Sequence, residues 1–214
     1  MKGLLIKDLL TIQKKYGIAR IMIDICIMTI LMIILKGAGA IYISFLLIPT
    51  ELMTMIISLS TCDEQWKWEK YAIALPVSKT TIIKSRYIFA LILSSLGFIV
   101  SLTANSVSYF CFPQFAFGYY LFIAGTSFAI TLLFLSFVLP SNYSLGVNAG
   151  FAVMLVLIII LVLLAMWTNV ANDSIMWFIV EHFELCIGIT CAMVIALAFG
   201  SYFLSKILFN RKYN

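Results

Sequence analysis

Charged side chains are scarce in this chain. They make up 11% of its 214 residues, whereas hydrophobic residues make up 64%. With a mean hydropathy of +1.11, the apolar side chains are too many to be buried inside one soluble core. The shortage of charge therefore excludes a soluble domain and predicts an all-α integral membrane protein.

Residues that bind metals or perform catalysis are also few. Histidine occurs once, as His182, and the five cysteines form no CxxC pair, which argues against zinc sites and disulfides and favours cysteine as a small apolar residue. No glycine is followed by lysine, so the phosphate-binding loop GxxxxGK[ST] is absent. No nucleophile–base or paired-carboxylate arrangement is apparent either. We therefore expect no catalytic site, metal or cofactor in this chain.

Six apolar segments are long enough to cross a hydrocarbon core, which takes about 20 helical residues. They lie near residues 18–35, 38–61, 87–110, 116–139, 147–168 and 185–208. If all six are spans, every Lys and Arg except Lys36 falls on one side, which the positive-inside rule assigns to the cytoplasm. Both termini and the 62–86 loop should then be cytoplasmic. The net charge of +5 forms no contiguous basic face, so we expect no nucleic-acid partner.

The chain has no internal repeat and no long linker, which predicts one membrane domain over residues 1–214. Its start is amphipathic and unlike a cleavable signal peptide, so we expect it to be retained. Residues 1–17 predict a helix lying along the membrane interface, with its apolar face in the acyl chains and its lysines at the lipid head groups. The apolar face comprises Leu5, Leu9, Ile12 and Tyr16, while Lys7, Asp8, Thr11, Lys14 and Lys15 fall largely elsewhere.

The 62–86 loop has the pattern of a helix, a stop and a second helix. Asp63 and Glu64 are predicted to begin the first helix, where carboxylates interact favourably with exposed amides. Its apolar ridge would comprise Trp68, Tyr71, Ala72 and Leu75. Pro76 should end it, and Ser78 should cap a helix that begins at Lys79 or Thr80. The loop is either a rigid elbow that receives force from a partner or a set of aromatic residues preferring the membrane boundary.

This loop resembles that of the small six-helix permeases of bacterial ABC-2 type transporters. That family has an acidic pair, a Trp-Glu-Lys-Tyr-like helix, a Leu-Pro-Val-Ser-like turn, and a basic residue and tyrosine that open the third span. The matching residues are Asp63, Glu64, Trp68, Glu69, Lys70, Tyr71, Leu75, Pro76, Val77, Ser78, Ser85, Arg86 and Tyr87. Two positions depart from the pattern, since Lys67 replaces a small residue and Arg86 replaces the usual lysine.

The resemblance implies a type V exporter-like permease in the bacterial cell membrane. It would pair with a second, identical or different permease and with two ATPase subunits that bind ATP and Mg²⁺. A cytoplasmic coupling helix between spans 2 and 3 would contact the ATPase, through Asp63, Glu64, Trp68, Glu69, Lys70, Tyr71, Leu75, Pro76 and Ser78. Residues 169–184 would form short helices in the outer leaflet. The chain's similarity to peptide-export and self-protection permeases, including those that export phenol-soluble modulins, further implies export of amphipathic or antimicrobial peptides, lipids or hydrophobic drugs.

An ATP-independent channel, a secondary carrier or a membrane sensor is the alternative function. Few ionisable groups lie within the predicted spans to couple transport to ions, and no inverted repeat is visible. Both observations argue against this alternative.

Polar residues inside the predicted spans are further candidates for function. Arg20 and Asp24 are spaced to pair on one helix. Glu51 has no basic residue at matching depth in the sequence. One prediction is that its carboxyl group is neutral and faces the protein interior beside a kink at Pro49. The other is that Glu51 lies in the translocation path or in the seam between two permeases. A stripe of small and polar residues on the third span would serve helix packing or line that path. It comprises Ser94, Gly97, Ser101, Asn105 and Ser108.

Overall fold

A computed structural model describes residues 1–36, 39–74, 77–170 and 183–212, and within these ranges it contains helices and no strand. We label the α-helices in chain order. They are α1 (Lys2–Lys15), α2 (Ile18–Leu35), α3 (Gly39–Tyr42), α4 (Ile48–Gln65), α5 (Trp68–Ala74), α6 (Lys79–Cys111), α7 (Phe117–Leu145), α8 (Val147–Val170) and α9 (Phe183–Lys212). A π-helical turn, Ile43–Leu47, joins α3 to α4.

Each apolar segment predicted from the sequence is helical over most of its length. By length and composition, four helices of the described residues are able to cross a membrane: Ile43–Gln65, Lys79–Cys111, Phe117–Leu145 and Gly188–Lys212. A fifth is possible if α1 and Ala19–Leu35, which meet at a bend of 71°, count as one span. Val147–Leu163 is a shorter apolar helix. The number of six spans stays a prediction.

The helices pack around α7, which contacts α4, α6, α8 and α9. The largest group of buried apolar residues joins α4, α6 and α7, with Ile56, Phe89 and Val138 at its centre. By contrast, large apolar side chains are exposed along the outer faces of α2, α8 and α9. Exposed apolar area on this scale is typical of a surface that meets lipid instead of water.

The helix that contains Glu51 begins irregularly. Pro49 has no backbone N–H, so the carbonyl of the residue four positions earlier cannot form its usual α-helical hydrogen bond. The structure accommodates this with the π-helical turn Ile43–Leu47 directly before α4. The irregularity that the sequence predicts beside Pro49 is therefore present, as a π-turn.

The orientation of α1 differs from the sequence prediction. Leu5 and Ile12 pack against the protein core, and Asp8 and Thr11 on the same side are buried. Leu9 is exposed, as expected. The prediction that Leu5 and Ile12 lie in the acyl chains, with Asp8 and Thr11 on other faces of the helix, was therefore wrong. The reason is that Asp8 has ionic partners on other helices.

The loop after α4 is also arranged differently. Asp63 and Glu64 belong to the last turn of α4, which continues to Gln65, and do not begin the short helix. That helix, α5, begins at Trp68 after Lys67, which has a positive φ of 50°. The predicted stop at Leu75 and Pro76 lies outside the described residues, as does most of segment 169–184.

The second helix predicted after this turn is confirmed. The helix α6 begins at Lys79, and the backbone N–H of Thr81 donates a hydrogen bond of 3.3 Å to Oγ of Ser78. The serine side chain thus satisfies one of the amides that a helix N-terminus leaves without a partner.

Candidate functional site

Four charged side chains from three helices meet where α4 ends and α6 begins. We call them the ionic tetrad: Lys7 and Asp8 of α1, Asp63 of α4 and Arg86 of α6. Asp63 accepts hydrogen bonds from both Lys7 and Arg86. Asp8 completes the ring, with its carboxylate 3.1 Å from Nζ of Lys7 and 3.6 Å from Nη1 of Arg86.

The tetrad is buried and balanced in charge. The side chains of Asp8 and Asp63 are only 5% and 6% exposed, and that of Arg86 is 11% exposed. Two carboxylates face two cations, so the group is formally neutral. Burying one unpaired charge would cost several kcal/mol, whereas a closed ring of opposite charges offsets much of that cost. The tetrad therefore fixes α1, α4 and α6 in one relative position.

The short helix α5 is attached to the same cluster. The ammonium group of Lys7 lies 4.6 Å from the centroid of the Trp68 ring, within the range of a cation–π interaction. Ala72, one turn further on, is completely buried. Tyr71 is 66% exposed and Lys70 is also exposed. Trp68 and Ala72 thus face the protein as predicted, but placing Tyr71 on the same ridge was wrong.

A cavity of about 200 Å³, lined largely by polar and charged residues, opens between α5 and the turn that joins α7 to α8. Its walls include Glu64, Lys67, Lys70 and Asn142, and Arg86 of the tetrad lines it as well. Gly146 forms the tight turn at its edge with φ of +88°, a left-handed conformation that glycine adopts without strain. The tetrad is therefore adjacent to a surface recess lined by charged side chains.

The residues that the resemblance assigns to coupling occupy different environments. Asp63 is buried in the tetrad and Trp68 is half-buried beside it, while Glu64, Lys70, Tyr71 and Ser78 are exposed. Leu75, Pro76 and the side chain of Glu69 lie outside what the structure describes. A role of any of these residues in coupling stays a prediction.

Lys7 and Asp8 are the site residues that the sequence analysis missed. A usable signal was present, since Asp8 is the one acidic residue of α1. It also shares a helix face with Leu5 and Ile12, at spacings of three and four residues. An acidic side chain on an apolar face indicates a cation on a neighbouring segment. Arg86, which stood out only as a departure from the family pattern, is that cation.

A second ionic group lies between α2 and α4. Nη2 of Arg20 donates hydrogen bonds of 3.0 and 3.1 Å to the two carboxylate oxygens of Glu51. The expected pair with Asp24 is also present, at 3.6 Å. The prediction that Glu51 has no basic residue at its depth was therefore wrong. The long arginine side chain reaches Glu51 from the neighbouring helix, which the sequence spacing could not show.

The polar stripe on α6 is buried within the chain. Oγ of Ser101 lies 3.0 Å from Oγ of Ser44, and the amide of Asn105 donates a 2.7 Å hydrogen bond to Ser44. A Cβ added at Gly97 would lie 2.4 Å from Cδ1 of Leu52. Small residues thus let α6 approach the start of α4 closely, which is the packing role predicted for the stripe.

These contacts separate the predicted path residues into two groups. Glu51 faces Arg20 of α2, whereas Ser94, Ser101 and Asn105 are buried on α6. The structure thus does not bring Glu51 to the stripe. Roles in a translocation path or dimer seam stay predictions.

A comparison with protein families covers almost the whole chain. A family model described as "ABC-2 family transporter protein" matches residues 3–210. No curated protein and no solved structure matches.

Proposed function

This chain belongs to the ABC-2 family of transporter proteins, and we propose that it is the permease of an exporter driven by a separate ATPase. The observation that carries this proposal is the ionic tetrad, which binds three helices together beside the short helix α5. A partner that displaces α5 would move α1, α4 and α6 with it, because buried charges resist separation.

The exposed side chains around α5 supply the proposed contact with the ATPase. Tyr71, Lys70 and Glu64 offer an aromatic ring and both signs of charge. Aromatic residues are common among those that contribute most to protein–protein binding. Asp63, by contrast, is buried, so we assign it a positioning role through Arg86 and Lys7. In this mechanism two ATPase subunits hold ATP and Mg²⁺, and their closure tilts the α5 helices of two paired permeases.

We further propose that the substrates are amphipathic peptides or other hydrophobic molecules. The described spanning helices are apolar, and the polar groups deep in α6 are neutral hydroxyl and amide side chains. Ser101 and Asn105 are buried against Ser44. A substrate would reach this stripe only if α6 and α4 separate during the cycle.

The ATPase contact is tested by Tyr71→Ala and by the charge reversal Glu64→Lys with Glu69→Lys. Each change is made in full-length permease co-expressed with its partner ABC ATPase. We expect the amount of co-purified ATPase to fall at least about tenfold, as for a binding hot spot. Insertion into the membrane should be unchanged, because Tyr71 and Glu64 are exposed.

The matched control is Tyr119→Ala, which removes an exposed tyrosine near the start of α7, at the end of that helix away from the Glu64 region. It should retain full ATPase binding. If both variants bind the ATPase as well as the unmodified chain does, the surface around α5 is not the coupling surface and the proposed mechanism is wrong.

A further inference from the structure

An apolar groove lies on the surface between α6, α7 and α9, and it shares Leu139 with the recess beside the ionic tetrad. It has a volume of about 530 Å³, which lies in the usual range of ligand-binding pockets. Its floor is α7, through Leu132 and Leu135, and its walls are Leu91 of α6 and Ile195 and Phe199 of α9. The lining is almost entirely hydrocarbon, which suits an acyl chain.

The shape of the groove follows from how α6 and α9 meet. The hydroxyl group of Tyr87 lies 2.7 Å from Oγ of both Ser201 and Ser205, and its ring packs edge-on against Tyr202 at 5.4 Å. These contacts lie at the end of the groove nearest the start of α6. Small side chains such as Ala90 and Ala198 lie in its walls and leave room for a ligand between the two helices.

Positive charge lies at this end of the groove. Lys84 lines the groove one turn before Tyr87 on α6, towards the cytoplasmic start of the helix. Its side chain is exposed, and no carboxylate of the described residues lies within salt-bridge distance of it. Lys206 is one turn beyond Tyr202 on the same face of α9, so a second cation flanks the same end.

We propose that this groove binds one anionic phospholipid of the cytoplasmic leaflet. An acyl chain would lie against Leu91, Leu132 and Phe199, and the phosphate would pair with Lys84. The proposal rests on charge complementarity, because a hydrocarbon groove with a cation at the head-group level matches an amphiphile with one anionic end. A zwitterionic lipid would fill the same groove but gain less from Lys84.

The test uses full-length protein in nanodiscs that contain equal amounts of phosphatidylglycerol and phosphatidylcholine. Native mass spectrometry counts the lipids of each kind that remain bound after release from the disc. We expect bound phosphatidylglycerol to exceed phosphatidylcholine, and Lys84→Gln to reduce that preference roughly fivefold, as one interfacial lysine should. Lys84→Arg should retain it.

Two further variants complete the test. Lys14→Gln removes an exposed lysine from α1 and should leave the lipid preference unchanged. Ala198→Trp should fill the groove and displace the lipid of either kind. Melting temperatures establish that each variant is folded.

Three results would overturn the proposal. The first is an unchanged lipid preference in Lys84→Gln, which would show that the groove does not select by charge. The second is full lipid retention in Ala198→Trp. The third is conversion of a dimer to a monomer by Ala198→Trp, because the groove would then be covered by a second copy of the chain.

Discussion

The helix α6 holds two buried polar clusters of different chemistry. Near its start, Arg86 joins the ionic tetrad, whereas four turns deeper Ser101 and Asn105 form a neutral cluster with Ser44. A charged side chain costs little free energy near the head groups, where it still reaches water or lipid phosphates. The same charge costs much more free energy at the centre of the bilayer. The comparison thus separates two packing contacts of α6: an ionic contact near its start that joins it to α1 and α4, and a neutral contact further along that joins it to Ser44.

The loss of Arg86 should have the largest effect. Arg86→Ala leaves two buried carboxylates with Lys7 as their only cation within the tetrad, and breaking a buried ion pair costs about 3–5 kcal/mol. We expect a large loss of stability in SDS titrations of the purified protein, and Arg86→Lys should recover part of it. Arg211→Ala, at the exposed end of α9, is the control. Equal stability of Arg86→Ala and the control would show that the tetrad does not hold the helices.

Removal of Lys7 should have a smaller effect on stability but a clear one on coupling. Lys7 is 20% exposed, so water can replace part of the interaction that the carboxylates lose in Lys7→Met. We expect the free energy of unfolding to fall by about 1.5–3 kcal/mol, as for hydrogen bonds to charged groups. Because Lys7 also contacts Trp68, ATPase activity stimulated by substrate should fall in the assembled complex. Lys14→Met, on the exposed side of α1, should leave it unchanged. Normal coupling in Lys7→Met would remove α1 from the proposed force path.

The two clusters also differ in how far the sequence could predict them. The α6 stripe repeats at helical spacing along one segment, so Ser94, Ser101 and Asn105 could be assigned to one buried face without a structure. The tetrad draws on three segments, and nothing in the local sequence pairs Asp8 with Arg86. The same limit explains why the contact of Arg20 with Glu51 was missed. The hydrophobic pattern predicted the helices, but the ionic contacts between them depend on their packing.

Helix boundaries around the 62–86 loop were predicted with mixed success, for a physical reason. Ser78 was identified as a cap because serine before a helical segment forms a specific hydrogen bond with that segment's backbone. Asp63 and Glu64 also suit a helix start, but Asp63 is held within the last turn of α4 by Arg86 and Lys7. Tertiary ion pairs thus outweighed the local preference of acidic residues for the N-terminus of a helix.

Adding volume to the neutral cluster of Ser44, Ser101 and Asn105 should lower the free energy of unfolding less than breaking the ionic tetrad does. Ser101 is completely buried, and Ser101→Leu would push α6 away from Ser44 at a cost of about 1–3 kcal/mol. We expect lower stability in SDS titrations and less export by the assembled transporter. Ser95→Leu places the same side chain on the exposed side of α6 and should be tolerated. A stable, fully active Ser101→Leu protein would show that neither tight packing nor substrate passage requires this position.

The smallest effect is expected from Ser44→Ala, which removes hydrogen bonds from the neutral cluster without adding volume. The amide of Asn105 would still donate to the backbone carbonyl of Ser101, at 2.7 Å. Hydrogen bonds between membrane helices contribute about 0.6 kcal/mol on average, so the loss in an SDS titration should be of that order. A loss as large as that of Arg86→Ala would contradict the division of α6 into an ionic end and a neutral packing region, because the neutral cluster would then contribute as much to stability as the buried charges.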